Sequence, residues 1–337
     1  MDILLVSAVF IASLFCAGLM GFAIQRGATC TVAAVDEFVS KRKLSRLISL
    51  MEASLWVVGG LLIAQALGVL PRMPAGHAVG WLTIVGALLL GLGAFINGAC
   101  VFGAIARLGS GEWAYVLTPL GFYIGCLTVT ALFPPPLPGL STGSPLFDAA
   151  MWLAILFGAL MLFRVVAPLV VVGKEREQTI AQRVRIAMTS RIWSPHAATG
   201  VIGVTFVLIL LLIGGTWAYT DVLADLARGM ANSLASRILL VIALFAGAII
   251  GGYTAGRFRS TRITAAQMAK CFAGGMMMGW GTLLIPGSND GLILIGMPLL
   301  RPYAWIAFLT MCIAIGAALL ARQYVQQTSA HETVPHG

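Results

Sequence analysis

Charged side chains are scarce in this sequence. They make up 10% of its 337 residues, whereas a soluble domain carries roughly 25%. Hydrophobic residues reach 59% and the mean hydropathy is +0.96. This composition excludes an ordinary soluble domain. Because a helix of ~20 apolar residues spans a bilayer, the repeated apolar runs predict an all-α polytopic membrane protein.

Several functional signatures are also missing. The sequence has no G-x-x-x-x-G-K-[ST] phosphate loop, which argues against an ATP-driven pump. Its six cysteines show neither CxxC nor Cys/His spacing, so neither a metal nor another cofactor is expected. None of the four histidines lies in a predicted spanning segment, and a thiol enzyme usually needs a nearby base. No catalytic residue is therefore assigned.

The net charge of +9 is concentrated in a few short loops. Lys and Arg cluster at 41–46, 174–191 and 257–270, between apolar runs. Basic loops of this kind face the cytoplasm, and no basic aromatic surface is left for nucleic acid. The sequence therefore predicts a lipid bilayer as partner, no nucleic acid, and one common side for these three loops.

The longest basic stretch divides the chain into two parts. The polar stretch 221–228 and the Pro-rich run 134–139 are expected in external loops, and the latter contains no Lys or Arg. The predicted order is a first membrane half (1–172), a basic cytoplasmic linker (173–195), a second membrane half (196–325) and a polar C-terminal tail (326–337).

Three apolar runs are interrupted in the middle by glycine. In hydrocarbon, interrupted backbone is tolerated only where protein or a water-filled cavity satisfies the freed N–H and C=O groups. Secondary transporters place their substrates at such discontinuous helices. The sequence therefore predicts a permease with two pseudo-symmetric halves, whose discontinuous or re-entrant helices meet near the midplane. The interruptions are Gly27 before Cys30, Gly98 before Cys100, and Gly287 before Ser288.

Cys30 and Cys100 differ from the other cysteines because they lie just past two of these breaks. A thiol in apolar surroundings stays protonated, so both are predicted to be neutral S–H donors that attract an anion. The N-termini of the short helices that follow add backbone donors and a positive dipole end. The remaining cysteines are expected to be small buried apolar residues, namely Cys16, Cys126, Cys271 and Cys312.

Polar residues beside the first two breaks have alternative interpretations. Arg26 either attracts an anion at the mouth of the path or extends its side chain to the membrane interface. Gln25 and Asn97 either donate to substrate or bridge the broken backbone, and bridging is favoured for Asn97. Gly27 and Gly98, like Gly287, are expected to permit the backbone break rather than to contact substrate.

Ser288, Asn289 and Asp290 follow the third break and are also placed on the path. An intramembrane carboxylate costs about 2.5–3.5 kcal/mol on insertion scales, so Asp290 is a functional candidate. It either couples a proton to transport or binds a cation. Alternatively it caps the helix that starts near Gly291, and the cap is the favoured interpretation.

These motifs resemble those of the YeeE/YedE family of bacterial inner-membrane proteins, which is associated with uptake of thiosulfate and other sulfur compounds. The resemblance covers nearly the whole chain. It implies a multi-pass protein of the bacterial inner membrane that imports a small sulfur-containing solute. The motifs are Gly27-Ala-Thr-Cys30, Asn97-Gly-Ala-Cys100, Gly256-Arg-Phe-Arg259 and Gly274-Gly-Met-Met-Met-Gly279-Trp-Gly281.

The resemblance also implies three cysteines along a central path that pass thiosulfate by S–H hydrogen bonds. Two of them correspond to Cys30 and Cys100. Where the family reads Gly-Gly-Cys-Asn, this chain reads Pro286-Gly287-Ser288-Asn289. The hydroxyl donor remains but the sulfur is lost, so the substrate is either a thiosulfate-like anion or a related sulfur species.

Two other functions compete with the permease. In a membrane sulfurtransferase, Cys30 or Cys100 would take up sulfur as a persulfide and pass it to a cytoplasmic sulfur-carrier protein. In a structural or partner-binding subunit, replacing both cysteines by alanine would leave uptake intact.

Overall fold

A computed structural model of the chain describes residues 2–132, 144–146, 148, 151–171, 189–230 and 234–332. The Pro-rich run 134–139, residues 173–188 of the predicted linker and residues 333–337 of the tail lie outside these ranges. The described residues fold into helices, which confirms the predicted all-α class.

The helices of the first half include two short ones that follow a longer helix. A 3-10 turn, Trp113–Val116, precedes the sixth helix. The helices are α1 (Asp2–Gly27), α2 (Thr31–Lys41), α3 (Ser45–Ala66), α4 (Trp81–Asn97), α5 (Val101–Gly109), α6 (Leu117–Leu132) and α7 (Met151–Val171).

Short helices also occur among those that follow residue 194. The last of these short helices continues into a π-helical turn, Leu292–Gly296. The helices are α8 (Pro195–Ile213), α9 (Tyr219–Ala227), α10 (Leu234–Thr254), α11 (Ala265–Leu284), α12 (Asn289–Gly291) and α13 (Pro302–Glu332).

Within the described ranges, seven segments are long and apolar enough to cross a membrane. Two of them, Ser7–Lys41 and Trp81–Gly109, run through a helix break, as expected if each broken segment is one crossing. The multi-pass membrane class is therefore confirmed. The others are Ser45–Ala66, Trp113–Thr130, Pro195–Ile213, Leu234–Thr254 and Pro302–Thr328.

The predicted helix interruptions are present at 28–30, 98–100 and 285–288. A further interruption at 214–218 separates α8 from α9. The prediction of a loop at 221–228 is wrong, because most of this stretch belongs to α9. Its helix has an apolar face that the protein buries, which includes Val222 and Ala224, and so its polar residues lie on a helix rather than in a loop.

Glycines allow helices of the two predicted halves to pack closely. A Cβ on Gly21 of α1 would lie 1.8 Å from the Leu244 carbonyl oxygen of α10, and one on Gly121 of α6 would lie 2.2 Å from the Phe272 oxygen of α11. Helices α4 and α11, and α1 and α8, also pack together. Small residues favour such crossings because the backbones approach within van der Waals contact.

The two ends of the bundle differ in charge. At the basic end, defined by residues 41–46, 110–112, 189–193 and 257–262, the Arg259 N–H donates to the Ser110 carbonyl oxygen at 2.9 Å. At the opposite end, defined by 67–80, 214–218 and 301–303, the Tyr303 ring lies 5.4 Å from the His77 ring. The two described basic loops, 41–46 and 257–262, thus share an end, as the charge pattern predicts.

Candidate functional site

A cavity of about 500 Å³ opens at the basic end. Its lining includes Cys30 and the arginines Arg46, Arg107 and Arg322. Arg107 forms an ion pair with Glu112 at 3.1 Å. The cavity therefore connects a thiol at a helix break to a surface rich in guanidinium groups, which suits a small anion.

A second cavity, of about 290 Å³, opens at the opposite end. It is lined by His77, Asp221, Arg228 and the segment 286–287 that precedes Ser288. His77 contacts Tyr303, and Arg322 of the first cavity lies 19 residues later on α13. At 1.5 Å per residue the two cavities are therefore separated by about 28 Å.

The Cys30 and Cys100 thiols are close neighbours. The backbone N–H of Thr31 donates to the Cys100 Sγ at 3.1 Å. A Cβ at Gly103 would lie 2.5 Å from the Cys30 Sγ, so the thiol occupies space that only glycine leaves open. The two break cysteines thus form one pair at the inner end of the basic-end cavity, in which Cys100 is buried and Cys30 is partly exposed.

A string of polar contacts leads from the thiols toward the second cavity. The Thr31 hydroxyl donates to the Asn289 Oδ1 at 3.1 Å. On the far side of Asn289, the Ser288 hydroxyl donates to an Asp290 oxygen and lies 2.6 Å from the Thr220 oxygen. The structure therefore brings together five residues that the sequence placed on the path: Cys30, Cys100, Ser288, Asn289 and Asp290.

The N-termini of α2, α5 and α9 meet at this string. Their N-cap residues are Cys30, Cys100 and Ala218, and none of the three makes a side-chain capping hydrogen bond. The first N–H groups of a helix have no intrahelical acceptor and carry a partial positive charge. Three such ends create a local environment that favours an anion.

Two buried polar groups at the string have no hydrogen-bond partner within the described part of the chain. They are the Asn289 Nδ2 and the Tyr219 hydroxyl, on residues that are 1% and 2% exposed. Tyr219 has Cys100 and Asp290 as electrostatic neighbours. Because an unsatisfied buried donor is costly, these two groups are suited to bind a ligand between the cavities.

Gln25 and Arg26 lie where α1 ends, and their contacts are with other helices and loops. The Gln25 amide donates to the Ser110 hydroxyl at 3.3 Å. The Arg26 guanidinium donates to the Ser190 carbonyl oxygen and, at 2.8 Å, to the Thr254 hydroxyl. Arg26 is only 2% exposed. These contacts tie α1 to neighbouring segments of the basic end.

Asn97 spans the second break. Its amide nitrogen donates to the Ala99 carbonyl oxygen at 2.7 Å, and its amide oxygen accepts from the Thr118 hydroxyl at 2.9 Å. These contacts match the bridging interpretation. Gly98 has φ +73, which a side chain would strain.

The other two break glycines have ordinary φ values. Gly27 faces Ala198, where a Cβ would approach to 2.3 Å, whereas Gly287 has space for one.

The prediction that no histidine lies in a spanning segment is wrong for His196. It belongs to α8 and thus to a candidate span, although no histidine was expected there. Its Nδ1 lies 2.5 Å from one Glu52 carboxylate oxygen, and the other oxygen of this carboxylate binds Arg164. The imidazole is therefore engaged with a carboxylate rather than with the thiol pair.

Comparison with known proteins identifies the family. Residues 26–319 match the model of the family Sulf_transp, described as sulphur transport. This chain belongs to that family. The resemblance to YeeE/YedE proteins is thereby confirmed. The chain is also similar to a curated protein, the thiosulfate transporter TsuA of Escherichia coli (strain K12), with 23% identity over 339 residues that cover 92% of this chain and 94% of the relative.

Sequence reasoning did not find several residues of the site in this member of the sulphur-transport family. Thr31, Tyr219 and Thr220 contact or neighbour the predicted residues. Tyr219 and Thr220 directly precede the stretch 221–228 that is predicted as a loop. The pair Gly214-Gly215 after the apolar run of α8 was the available signal, since it repeats the pattern of the other breaks.

Proposed function

We propose that the protein imports a small sulfur-containing anion, thiosulfate or a related species, along a path that passes the Cys30–Cys100 pair. The observation that carries this proposal is the position of the thiol pair. It lies at the meeting point of three helix N-termini, between cavities that open at opposite ends of the bundle.

The donors along this path suit transient binding. Neutral thiols, the Asn289 amide and the Tyr219 hydroxyl offer weak hydrogen bonds that replace water around a polarisable anion. A hydrogen bond from such a donor to an anion contributes about 1.5–3 kcal/mol. Binding of the anion therefore rests on neutral donors rather than on a salt bridge.

The charge pattern supports the direction of transport. Basic loops face the cytoplasm, so the basic end is assigned to the inside of the bacterial inner membrane. The substrate then enters through the cavity that contains Arg228 and leaves past Arg46, Arg107 and Arg322. These guanidinium groups raise the local concentration of anions at both openings.

The relative named as a thiosulfate transporter supports thiosulfate as the first substrate to test. Ser288 stands where the resemblance leads one to expect a third cysteine. A hydroxyl is a less polarisable donor than a thiol, so we assign to Ser288 a role in selecting the substrate.

Uptake of radiolabelled thiosulfate in cells without their own uptake systems tests the proposal. Cys30→Ala and Cys100→Ala should each lower uptake about tenfold or more, because a hydrogen bond to a charged group contributes about 1.5–3 kcal/mol. Cys312→Ala, a thiol elsewhere in the bundle, is the matched control. Unchanged uptake in both break-cysteine variants would remove the thiols from the path. Faster thiosulfate entry with Ser288→Cys would support its assignment to substrate choice.

The contact between the thiols favours one alternative, the membrane sulfurtransferase. Cys30 lines the cavity at the basic end, and the neighbouring Cys100 thiol would stabilise a thiolate there. That function requires a thiolate near neutral pH and a cytoplasmic sulfur-carrier partner. The rate of thiol alkylation against pH separates the two functions, since only the enzyme needs fast alkylation at pH 7.

A further inference from the structure

Asp290 is the most deeply placed carboxyl group of the string, at 2% exposure. Its Oδ1 accepts from the Thr220 hydroxyl at 2.6 Å, from the Ser288 hydroxyl and from the Gly291 N–H at 3.1 Å. Thr220 and Ser288 also contact each other at 2.6 Å. The three side-chain oxygens therefore form a closed triangle.

The number of contacts among the three oxygens sets the number of hydrogens that the cluster requires. Three oxygen–oxygen contacts require three hydrogens if each contact is a hydrogen bond. The Thr220 and Ser288 hydroxyls supply two of them. With Asp290 ionised, both hydroxyls donate to its Oδ1 and the Thr220–Ser288 contact has no hydrogen of its own. With Oδ1 protonated, its O–H donates to Ser288, Ser288 donates to Thr220 and Thr220 donates to Oδ1, so all three contacts are hydrogen bonds only when Asp290 is neutral.

The charged and titratable neighbours do not compensate an ionised Asp290. In the part of the chain that the structure describes, no Arg or Lys forms a salt bridge with it. The nearest cations on α9 and α10 are Arg228 and Arg237, and Arg237 is paired with Asp225 at 2.6 Å. The other groups that face this region are Tyr219, Cys100, Asp221, His77, Arg301 and Tyr303.

Asp221 connects this buried carboxyl to the cavity at the opposite end. It lines that cavity, and its Oδ1 lies 4.0 Å from the position of a Cβ on Gly291, the residue after Asp290. Burial, with the neighbouring carboxyls of Asp290 and Asp225, raises the pKa of Asp221 to about 7. Asp221 therefore exchanges protons near neutral pH at the edge of the string.

We propose that Asp290 is the proton site of an anion–proton symporter, an inference that rests on the transport function proposed above. Asp221 passes a proton from the opposite-end cavity to Asp290, and the anion crosses the string only while Asp290 is neutral. The physical reason is charge: a carboxylate beside Asn289 and Tyr219 repels the anion that these donors bind, whereas a carboxylic acid does not. Releasing the proton toward the basic end resets the site.

Purified full-length protein in proteoliposomes tests this symport with radiolabelled thiosulfate. Uptake down a thiosulfate gradient is measured first without a pH gradient, and then with the outside more acidic. If one proton accompanies each anion, accumulation should rise about tenfold per pH unit. A pH-sensitive dye inside the vesicles should report acidification that requires thiosulfate.

Asp290→Asn keeps the size of the side chain and is permanently neutral. It should lose both the response of thiosulfate accumulation to the pH gradient and the thiosulfate-dependent acidification. Asp148→Asn, which removes an exposed carboxylate, is the matched control and should behave as the wild type.

The wild-type measurements decide the outcome even if the variant does not fold. Thiosulfate flux that ignores the pH gradient, or that follows a sodium gradient instead, overturns the proton site and leaves the transport function standing. A wild-type protein that moves no thiosulfate under any gradient overturns the transport function and the proton site with it.

Discussion

Gly103 makes room for the Cys30 thiol. It lies in the first turn of α5, where a Cβ would come within 2.5 Å of the Cys30 Sγ and 3.1 Å of the Ala99 Cβ. The partners of the thiol are backbone and a second buried thiol, neither of which can move far. A methyl group at residue 103 would therefore displace the Cys30 thiol, which lies on the proposed path.

Gly103→Ala should reduce thiosulfate uptake at least several-fold, because it displaces Cys30 from Cys100. Overpacking typically costs about 1–3 kcal/mol, so a moderate loss of thermal stability is expected as well. Uptake per folded protein is the measurement. Gly215→Ala is the control, since a Cβ there meets nothing within 4 Å, and a normal rate for Gly103→Ala would contradict the placement of the thiol pair on the path.

The Tyr219 hydroxyl is buried without a partner among the described residues. Tyr219→Phe should leave thermal stability unchanged or slightly higher, because no hydrogen bond of the folded protein is lost. If the hydroxyl binds the anion, the apparent KM for uptake should rise about tenfold, as expected for a hydrogen bond to a charged group. Tyr253→Phe, at an exposed tyrosine, serves as control, and equal KM values for the two variants would argue against the assignment.

At the scale of helices, close crossings hold the broken segments in place. Helix α1, which ends at the first break, packs against α10 through Gly21 and Gly18. At Gly21 a Cβ would lie 1.8 Å from a backbone oxygen, whereas at Gly18 it would lie at an ordinary 3.5 Å from another. At this separation of the two helices, a methyl group therefore fits at Gly18 but not at Gly21.

Gly21→Ala should destabilise the protein markedly, because α1 and α10 must move apart, and Gly18→Ala should have little effect. Both variants lie on one helix and face the same neighbour, which makes them a matched pair. Thermal unfolding in detergent measures the difference. Similar unfolding temperatures for the two would show that this crossing is looser than the structure indicates.

At the scale of the whole molecule, the charge pattern predicts the orientation. A membrane-impermeant thiol reagent should label Lys43→Cys only from the cytoplasm and Arg72→Cys only from outside. These residues lie at the basic and the opposite ends, in loops rather than helices. The reverse labelling would invert the direction that we propose for transport.

The sequence predicted the local features of the molecule well. The apolar runs identified membrane-spanning segments, and Gly27, Asn97-Gly98 and Pro286-Gly287 marked the interruptions. Of the three break glycines, only Gly98 has the positive φ that glycine favours. The sequence does not predict helix α9, because its nine residues are too few to form a recognisable apolar run. Its polar side chains suggested a loop exposed to water.

The sequence alone therefore determined that this chain lies in a membrane, where three of its helices break and which side chains follow those three breaks. Only the tertiary structure decided which breaks meet. Thr31 and Asn289 are 258 residues apart and Thr220 and Asp290 are 70 apart, and no local pattern joins them. Composition and backbone preferences act over a few residues, whereas the meeting of the thiols, the hydroxyls and the buried carboxyl depends on how distant helices pack.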